Sequence, residues 1–355
     1  MSRSVLITGG AGFVGSTLAL GLFQRYPHWK ITAFDNLKRR GSELNLPRLQ
    51  QAGIQFIHGD VRNAEDLDPA VLQPDLILEC SAEPSVLAGY SSPGYVLQTN
   101  LVGTINCLEL ARKTQADFIF LSTSRVYPIP RLKVLQFTEK ENKFELLKTQ
   151  SLPGASREGI SEEFPLDGVR SLYGTTKLAS ELLIAEYADA YGFKTLIDRC
   201  GVLTGPWQMG KVDQGIFALW MAFHYFQKPL KYIGYGGTGK QVRDFLHIAD
   251  LLDLIDIQIQ NLEQLQGQTF NVGGGANNAL SLYETTQFCQ EITGNQVKIT
   301  PVPEVRAGDI PIFVTDSRKV IAATGWRPQR DAKMTLTDIY QWIHESRDRV
   351  SSIFI

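Results

Sequence analysis

The strongest constraint in this chain is a regular alternation of short β-branched runs with longer amphipathic stretches, broken at its first turn by glycines. Ser4–Thr8, Ile31–Asp35, Ile54–His58, Leu76–Cys80 and Phe118–Thr123 read as strands, and Phe13–Arg25, Glu65–Leu72 and Tyr95–Lys113 as helices between them. Strands linked through helices demand right-handed crossovers, and so a parallel sheet with helices on both faces. A further helix, Tyr173–Tyr191, leads into a strand at Lys194–Cys200. The expected fold is α/β, a doubly wound parallel sheet of the Rossmann type. After Gly201 the pattern changes. Turn signals gather at Gly205-Pro206, Gly234–Gly239 and Gly273–Gly275, and helical patterns return at Gln214–Gln227, Ala249–Asn261, Leu282–Thr293 and Met334–Ser346. Two regions follow: 1–201, with 241–262 packing back on it, and a smaller α/β substrate lobe built from 202–240 and 263–355. Between a strand and a strong helix, 128–170 is a charged connection of 43 residues. A loop so long is expected to be a functional lid or a tolerated surface insertion.

The glycines sit in Thr8-Gly9-Gly10-Ala11-Gly12-Phe13-Val14-Gly15, directly after the first strand and opening the first helix. Gly9, Gly12 and Gly15 have a GxxGxxG spacing. Such a turn lets backbone approach a pyrophosphate, whose charge then meets the helix N-terminus at Phe13 and Val14. Asp35 ends the second strand 20 residues after Gly15. A carboxylate there can accept both ribose hydroxyls of an adenosine and would repel a 2′-phosphate. Lys38, Arg39 and Arg40 leave NADP open, but Asp35 favours NAD. Asp60-Val61, after the third strand, could meet the adenine, although a plain turn explains Asp60 almost as well.

A second constellation is Tyr173-Gly174-Thr175-Thr176-Lys177. Positions i and i+4 of a helix face the same way, so phenol and ammonium can share one site. The cation favours the tyrosinate and makes Tyr173 a usable acid and base. On its own YxxxK is often only a helix surface. Here it accompanies the glycine turn and a polar strand end, Ser122-Thr123-Ser124, where Thr123 could hydrogen-bond a reacting oxygen or merely satisfy its own backbone. Two further patterns are set aside. Gly234–Lys240 nearly matches a phosphate-binding P-loop, but Gln241 stands where a Mg²⁺-binding hydroxyl belongs, so a turn is expected. Glu162-Glu163 is read as a solvated pair rather than a glycosidase dyad.

Composition removes other classes. Lys plus Arg number 35 against 37 Asp plus Glu, a net charge of −2 with no basic stripe, which argues against nucleic acid. The four cysteines form no CxxC pair and the five histidines no HExxH, so neither a disulfide framework nor a metal site is expected. The longest uncharged apolar run, Ile216–Phe226, is 11 residues, too short for a bilayer, and the N-terminus does not read as a signal peptide. A reduced, cytoplasmic globular protein is the expectation.

Together these residues resemble the extended short-chain dehydrogenase/reductase family of nucleotide-sugar epimerases and dehydratases. The likeness runs over nearly the whole chain and adds Asn36, Asn100 with Gly103-Thr104, Arg199, Gln241–His247, Asn271–Gly274 and Arg306–Asp309 to the motifs above. Within the family, Phe34–Gly41 with Asn45-Leu46, Asp213-Gln214-Gly215, Gly239–Asp244 and Gly159–Glu163 are similar to the subfamily of CDP-paratose 2-epimerases. The resemblance implies a tightly bound NAD held by Gly9, Gly12, Phe13, Val14, Gly15, Asp35, Asn36, Arg39, Asp60, Val61, Ser81, Ala82, Asn100, Tyr173, Lys177 and Arg199. It implies catalysis by Thr123, Tyr173 and Lys177. It further implies a nucleotide sugar bound by Ser124, Arg125, Asp213, Gln214, Arg243, Arg306 and Asp309, with Arg243 and Arg306 gripping its diphosphate. A homodimer or homotetramer is the family's usual assembly. The pattern also departs from the family. Ser124-Arg125 replaces the Asp-Glu of dehydratases, Val202 replaces an Asn of galactose 4-epimerases, and Glu79-Cys80-Ser81-Ala82 replaces His-Leu-Ala-Ala at the end of strand four. The expected activity is epimerisation of a nucleotide-activated sugar, at C2 of a CDP-linked one. The alternatives are 4-epimerisation or another modification of a UDP- or dTDP-sugar, and a dinucleotide-sensing binding protein without catalysis.

Overall fold

The computed structural model describes residues 2–211 and 214–354. The chain divides into two units: Met1–Val126, Leu172–Arg199 and Leu252–Phe270 form the first, and Tyr127–Ser171, Cys200–Leu251 and Asn271–Ile355 the second.

The first unit is organised by a seven-stranded sheet. Its strands are β1 (Ser4–Thr8), β2 (Lys30–Asp35), β3 (Gln55–His58), β4 (Leu76–Glu79), β5 (Asp117–Thr123), β6 (Thr195–Cys200) and β7 (Gln268–Val272), in the spatial order β7-β6-β5-β4-β1-β2-β3. The pairs β1–β2, β1–β4, β2–β3 and β4–β5 are all parallel. This is the doubly wound α/β sheet that the strand–helix alternation demanded. Val5, Leu6 and Ile7 are each at most 2% exposed, the continuous apolar run expected of a parallel strand covered on both faces. One layer of the core gathers Leu6, Phe34, Ile77, Phe118 and Phe120 with Cys107, Leu108 and Ile184 from flanking helices. The chain starts at β1, runs outward to β3, and returns to β4 on the other side of β1. That reversal opens a crevice at the carboxyl ends of β1 and β4, where such sheets bind ligands. Register places Thr8 beside both Phe34 and Glu79 there.

Two helical expectations are corrected. Glu65–Leu72 shrinks to a single 3₁₀ turn, Ala64–Leu67, because Asp68 precedes Pro69 and is driven to extended backbone (φ −69°, ψ 118°). Tyr95–Lys113 is not one regular helix. Pro93–Leu97 and Gly103–Thr114 are α-helical, and Gln98–Val102 between them is a π turn. Such turns widen the helix at one point and re-aim the side chains there, here Asn100.

The second unit has a sheet of Val202–Thr204, Val242–His247 and Ala279–Ser281, with Ile312–Phe313 also pairing with Val242–His247. Leu230–Ile233 and Ile299–Val302 form a parallel pair, and Ile216–Tyr225, Leu282–Thr293 and Ala332–Glu345 are its longer helices. The connection 128–170 is ordered and belongs to this unit. It folds into a short helix (Ile129–Lys133) and two hairpins, Phe137–Glu139 with Phe144–Leu146 and Ala155–Ser156 with Gly159–Ile160. The Phe144 N–H donates to the Lys240 carbonyl, the Ser281 hydroxyl to the Asn142 carbonyl, and Lys240 pairs with Glu139 at 2.8 Å. Tyr127 Oη donates to Asn271 Oδ1 at 2.7 Å. Glu162, expected in solvent with Glu163, instead accepts the Asn271 N–H at 2.6 Å, so the pair is split between a structural contact and an exposed side chain. Gly234–Lys240 is a turn, with Gly234, Gly236, Gly237 and Gly239 all at positive φ.

The sheet of the first unit carries a titratable group with a readable effect. Asp198, on β6, is fully buried, accepts a hydrogen bond from Gln258 Nε2 at 2.8 Å, and burial pushes its carboxyl up to about 7. In the unfolded chain an aspartate titrates near 3.8. The folded state therefore holds the proton more tightly. The stabilisation is complete below the unfolded value and is lost as pH rises through about 7. Asp198→Asn should flatten this dependence. The stability difference between the two proteins is expected to change by roughly 2–3 kcal/mol from about pH 5 to about pH 8, in the variant's favour at the higher pH. Urea midpoints at the two pH values measure it, and parallel behaviour of the two proteins would refute it.

Candidate active site

The glycine turn is built for close approach. Gly9 has φ +64°, and a Cβ there would meet Cys80 and Ser81 backbone at 3.0 Å, so the loop lies against the end of β4. A Cβ on Gly15 would fall 2.2 Å from the Gly9 carbonyl oxygen, which brings the first helical turn directly onto the loop. Helix Phe13–Arg25 starts at Gly12 with no side-chain cap and no acidic residue in its first turn. Its leading N–H groups and positive dipole end are left for an anion. Asp35 Oδ2 accepts the Ala11 N–H at 3.1 Å and Oδ1 the Leu37 N–H at 2.8 Å. Burial pushes the Asp35 carboxyl above its ordinary range, while these donors oppose the shift. Asn45, which sequence reasoning passed over as a binding-loop residue, is 1% exposed and donates to the Ala11 carbonyl at 2.9 Å. It fixes the loop from outside, and only its place in Phe34–Leu46 hinted at that.

Beside the end of β2 lies a hollow of about 390 Å³ lined by Asn36, Lys38, His58, Gly59, Asp60 and Arg62. Asp60 is clasped by Arg62, with contacts of 2.5–3.0 Å, and accepts from Asn36 Nδ2 at 2.9 Å. Its carboxyl is held down at about 2, chiefly by the Arg62 hydrogen bonds. The Arg62 guanidinium in turn lies 5.2 Å from the Tyr95 ring centroid. Val61 is buried and Arg39 offers its carbonyl to Ser42. An uncapped helix start, a loop with no room for side chains and an adjacent hollow ending at a carboxylate fit an adenine dinucleotide.

The other half of the site lies across the crevice. Helix Leu172–Tyr191 packs on β5 and on the 3₁₀ turn Ser124–Val126 that follows it. Tyr173 and Lys177 project from its first two turns and are 8% and 1% exposed. The Lys177 ammonium lies 3.8 Å from the Phe120 ring centroid and 3.9 Å from Glu79 Oε2. Thr123 closes β5, 7% exposed, and its hydroxyl accepts the Arg125 N–H at 3.2 Å, so its own proton can go to a reacting oxygen. Such an arrangement can move a proton to and from a hydroxyl or carbonyl.

Three expected cofactor contacts have internal partners in this structure. Asn100, in the π turn, accepts the Glu83 N–H on Oδ1 at 2.8 Å, and its Nδ2 donates to the Glu83 carbonyl at 3.1 Å and to Thr176 Oγ1 at 3.3 Å. Arg199 is buried and donates to both Glu181 oxygens, Nη2 at 2.7 Å. Ser81, next to Ala82, donates to Glu79 at 2.5 Å. In the second unit, Arg243 Nη2 donates to Asp309 Oδ1 at 2.8 Å and to the Ile310 carbonyl at 2.6 Å, and the Asp309 N–H donates to the Arg306 carbonyl. Gln214 meets Lys211 through backbone, and Asp213 lies outside the described residues.

The match to known proteins runs in the same direction. The NAD dependent epimerase/dehydratase family matches residues 5–273. This chain belongs to that family. It is accordingly an NAD-dependent enzyme. The family member CDP-paratose 2-epimerase of Salmonella typhi is 31% identical over 350 residues, covering 95% of this chain and 98% of that protein. A dTDP-glucose 4,6-dehydratase of Streptomyces antibioticus is 25% identical over 350 residues, covering 97% and 93%. Among solved structures, a UDP-glucuronic acid 4-epimerase from Bacillus cereus, in complex with UDP-glucuronic acid and NAD, has a TM-score of 0.78 at 24% identity. The match covers 96% of this chain and 99% of that one. Among the described residues no helix is long and apolar enough to cross a membrane.

Proposed function

We propose that this enzyme epimerises a nucleotide-activated sugar, at C2 of a CDP-linked sugar. The observation that carries the proposal is the near full-length similarity to the Salmonella CDP-paratose 2-epimerase. It is supported by Thr123, Tyr173 and Lys177 on adjoining elements, and by Ser124-Arg125 in the place of a dehydratase's acidic pair. NAD, when bound, would supply the acceptor and donor of a hydride at a sugar carbon, whose return to the opposite face would invert configuration. Tyr173 removes the proton from the hydroxyl on that carbon and gives it back. Thr123 donates a hydrogen bond to the same oxygen, and Lys177 keeps the phenol acidic through its charge. Gly9, Gly12, Gly15 and Asp35 hold the dinucleotide, and Arg243 and Arg306 receive the diphosphate, for which the Arg fork is suited. Asp309 orients Arg243 for that contact.

The test is incubation of the purified protein, without added cofactor, with CDP-paratose or CDP-tyvelose in D₂O, followed by NMR. Interconversion without deuterium at C2 is expected. Deuterium at C2 would mean deprotonation at carbon and would discard the mechanism. If the protein carries NAD yet leaves both sugars unchanged, the substrate assignment falls.

A further inference from the structure

At the end of β4 this chain carries Glu79, and the structure buries it completely. Its carboxylate accepts from Ser81 Oγ at 2.5 Å and from Thr104 Oγ1 at 3.3 Å, and its Oε2 stands 3.9 Å from the Lys177 ammonium. Lys177 is itself 1% exposed. An ammonium withdrawn from water loses its hydration and reverts to the neutral amine unless an opposite charge holds it. Among the described residues, the Glu79 carboxylate and the face of Phe120, at 3.8 Å, both flank the Lys177 ammonium. The ring alone is the weaker of the two, since a quadrupole attracts less than a full charge.

We propose that Glu79 is a positioning residue for the reaction, holding the Lys177 side chain charged and seated one helical turn from Tyr173. The proposal rests on the reading of Tyr173 and Lys177 as an acid/base pair. It makes that pair a chain of three, carboxylate to ammonium to phenol, in which Glu79 acts on Tyr173 only through Lys177. Among the described residues, two thiols also face the pair, Cys80 beside Glu79 on the same chain segment and Cys107 from helix Gly103–Thr114. Burial pushes both thiols well above their ordinary range, so they stay neutral while Tyr173 titrates. From β5 come Phe120 and Ser122, the latter donating to Glu181, which Arg199 on β6 neutralises. Burial likewise pushes the Glu79 carboxyl up, and the Lys177 ammonium and two hydroxyl donors oppose it.

The test reads Tyr173 directly. Tyrosinate absorbance is titrated in the purified protein and in Tyr173→Phe, and their difference isolates Tyr173 from the other tyrosines. The same difference is taken in the Glu79→Gln background. Without that carboxylate the Lys177 charge is held less firmly, and Tyr173 should ionise about one pH unit higher in E79Q. In Lys177→Met the added E79Q change should have no further effect. A folded E79Q in which Tyr173 titrates at the wild-type pH, or lower, overturns the proposal; a merely structural Glu79 would lower Tm and leave the titration in place. Should E79Q not fold, Ser81→Ala with Thr104→Val removes the two hydroxyl donors and leaves the Ser81 N–H, and a smaller upward shift is required. Failure of the acid/base reading itself shows elsewhere, as full activity in Tyr173→Phe.

Discussion

Tyr173→Phe is expected to lower kcat by about 10²- to 10⁴-fold while the protein keeps its fold and its bound NAD. The phenol is 8% exposed on the first turn of helix Leu172–Tyr191, so losing one oxygen leaves the packing of the ring intact. What disappears is the proton acceptor. A hydroxyl on a sugar carbon is a very weak acid, and no hydride can leave that carbon efficiently while the proton remains. Thr123 can still donate a hydrogen bond to the oxygen and Lys177 still carries charge, yet neither can accept a proton, which accounts for residual rather than zero activity. Two measurements decide it. One is kcat on the sugar, and the other is NAD released on denaturation. Loss of activity with loss of NAD would point to a binding defect, and an undiminished rate would remove Tyr173 from the chemistry.

Gly15→Ala should abolish most cofactor retention. The new Cβ would stand 2.2 Å from the Gly9 carbonyl oxygen and 2.8 Å from Gly10 Cα, and both are backbone atoms. Neither can step aside as a long side chain would. The helix start must move off the loop, which spreads the N–H groups that would face a pyrophosphate. The same strain costs stability, on the order of 1–3 kcal/mol as in other overpacked sites. Bound NAD per chain is expected to drop at least about tenfold, with the fall in Tm reporting the strain. Gly53→Ala is the control. Gly53 also has positive φ (+76°), but a Cβ there meets nothing within 4 Å, so that variant should lose a little stability and no cofactor. Equal NAD in wild type and Gly15→Ala would refute this account of the loop.

How much of this was legible beforehand differs from element to element. The glycine turn, Asp35 and the Tyr173–Lys177 spacing were visible because each is a local requirement. Glycine must stand where backbone passes too near for a Cβ, and four residues are one helical turn. Strand order followed from alternation because crossovers have one hand. The fate of 128–170 was not legible, since charged residues in a long connection are compatible with a loose loop. Its order comes from partners far along the chain, Lys240, Asn271 and Ser281. The Glu65–Leu72 helix was overestimated because the apolar pattern outweighed Pro69. Asn100 shows a third kind of miss, a π turn that local propensity does not mark.

The sequence by itself determined the chain's architecture and its cofactor, because periodicity, glycine placement and one strand-end carboxylate are properties of short segments. Only the tertiary structure decided what the charged side chains do. It closed Arg199 onto Glu181 and Arg243 onto Asp309, and it brought Glu79 within 3.9 Å of Lys177, 98 positions away in the chain. The reason is physical. A charge taken out of water must find an opposite charge, and which one it finds depends on the packing of distant elements.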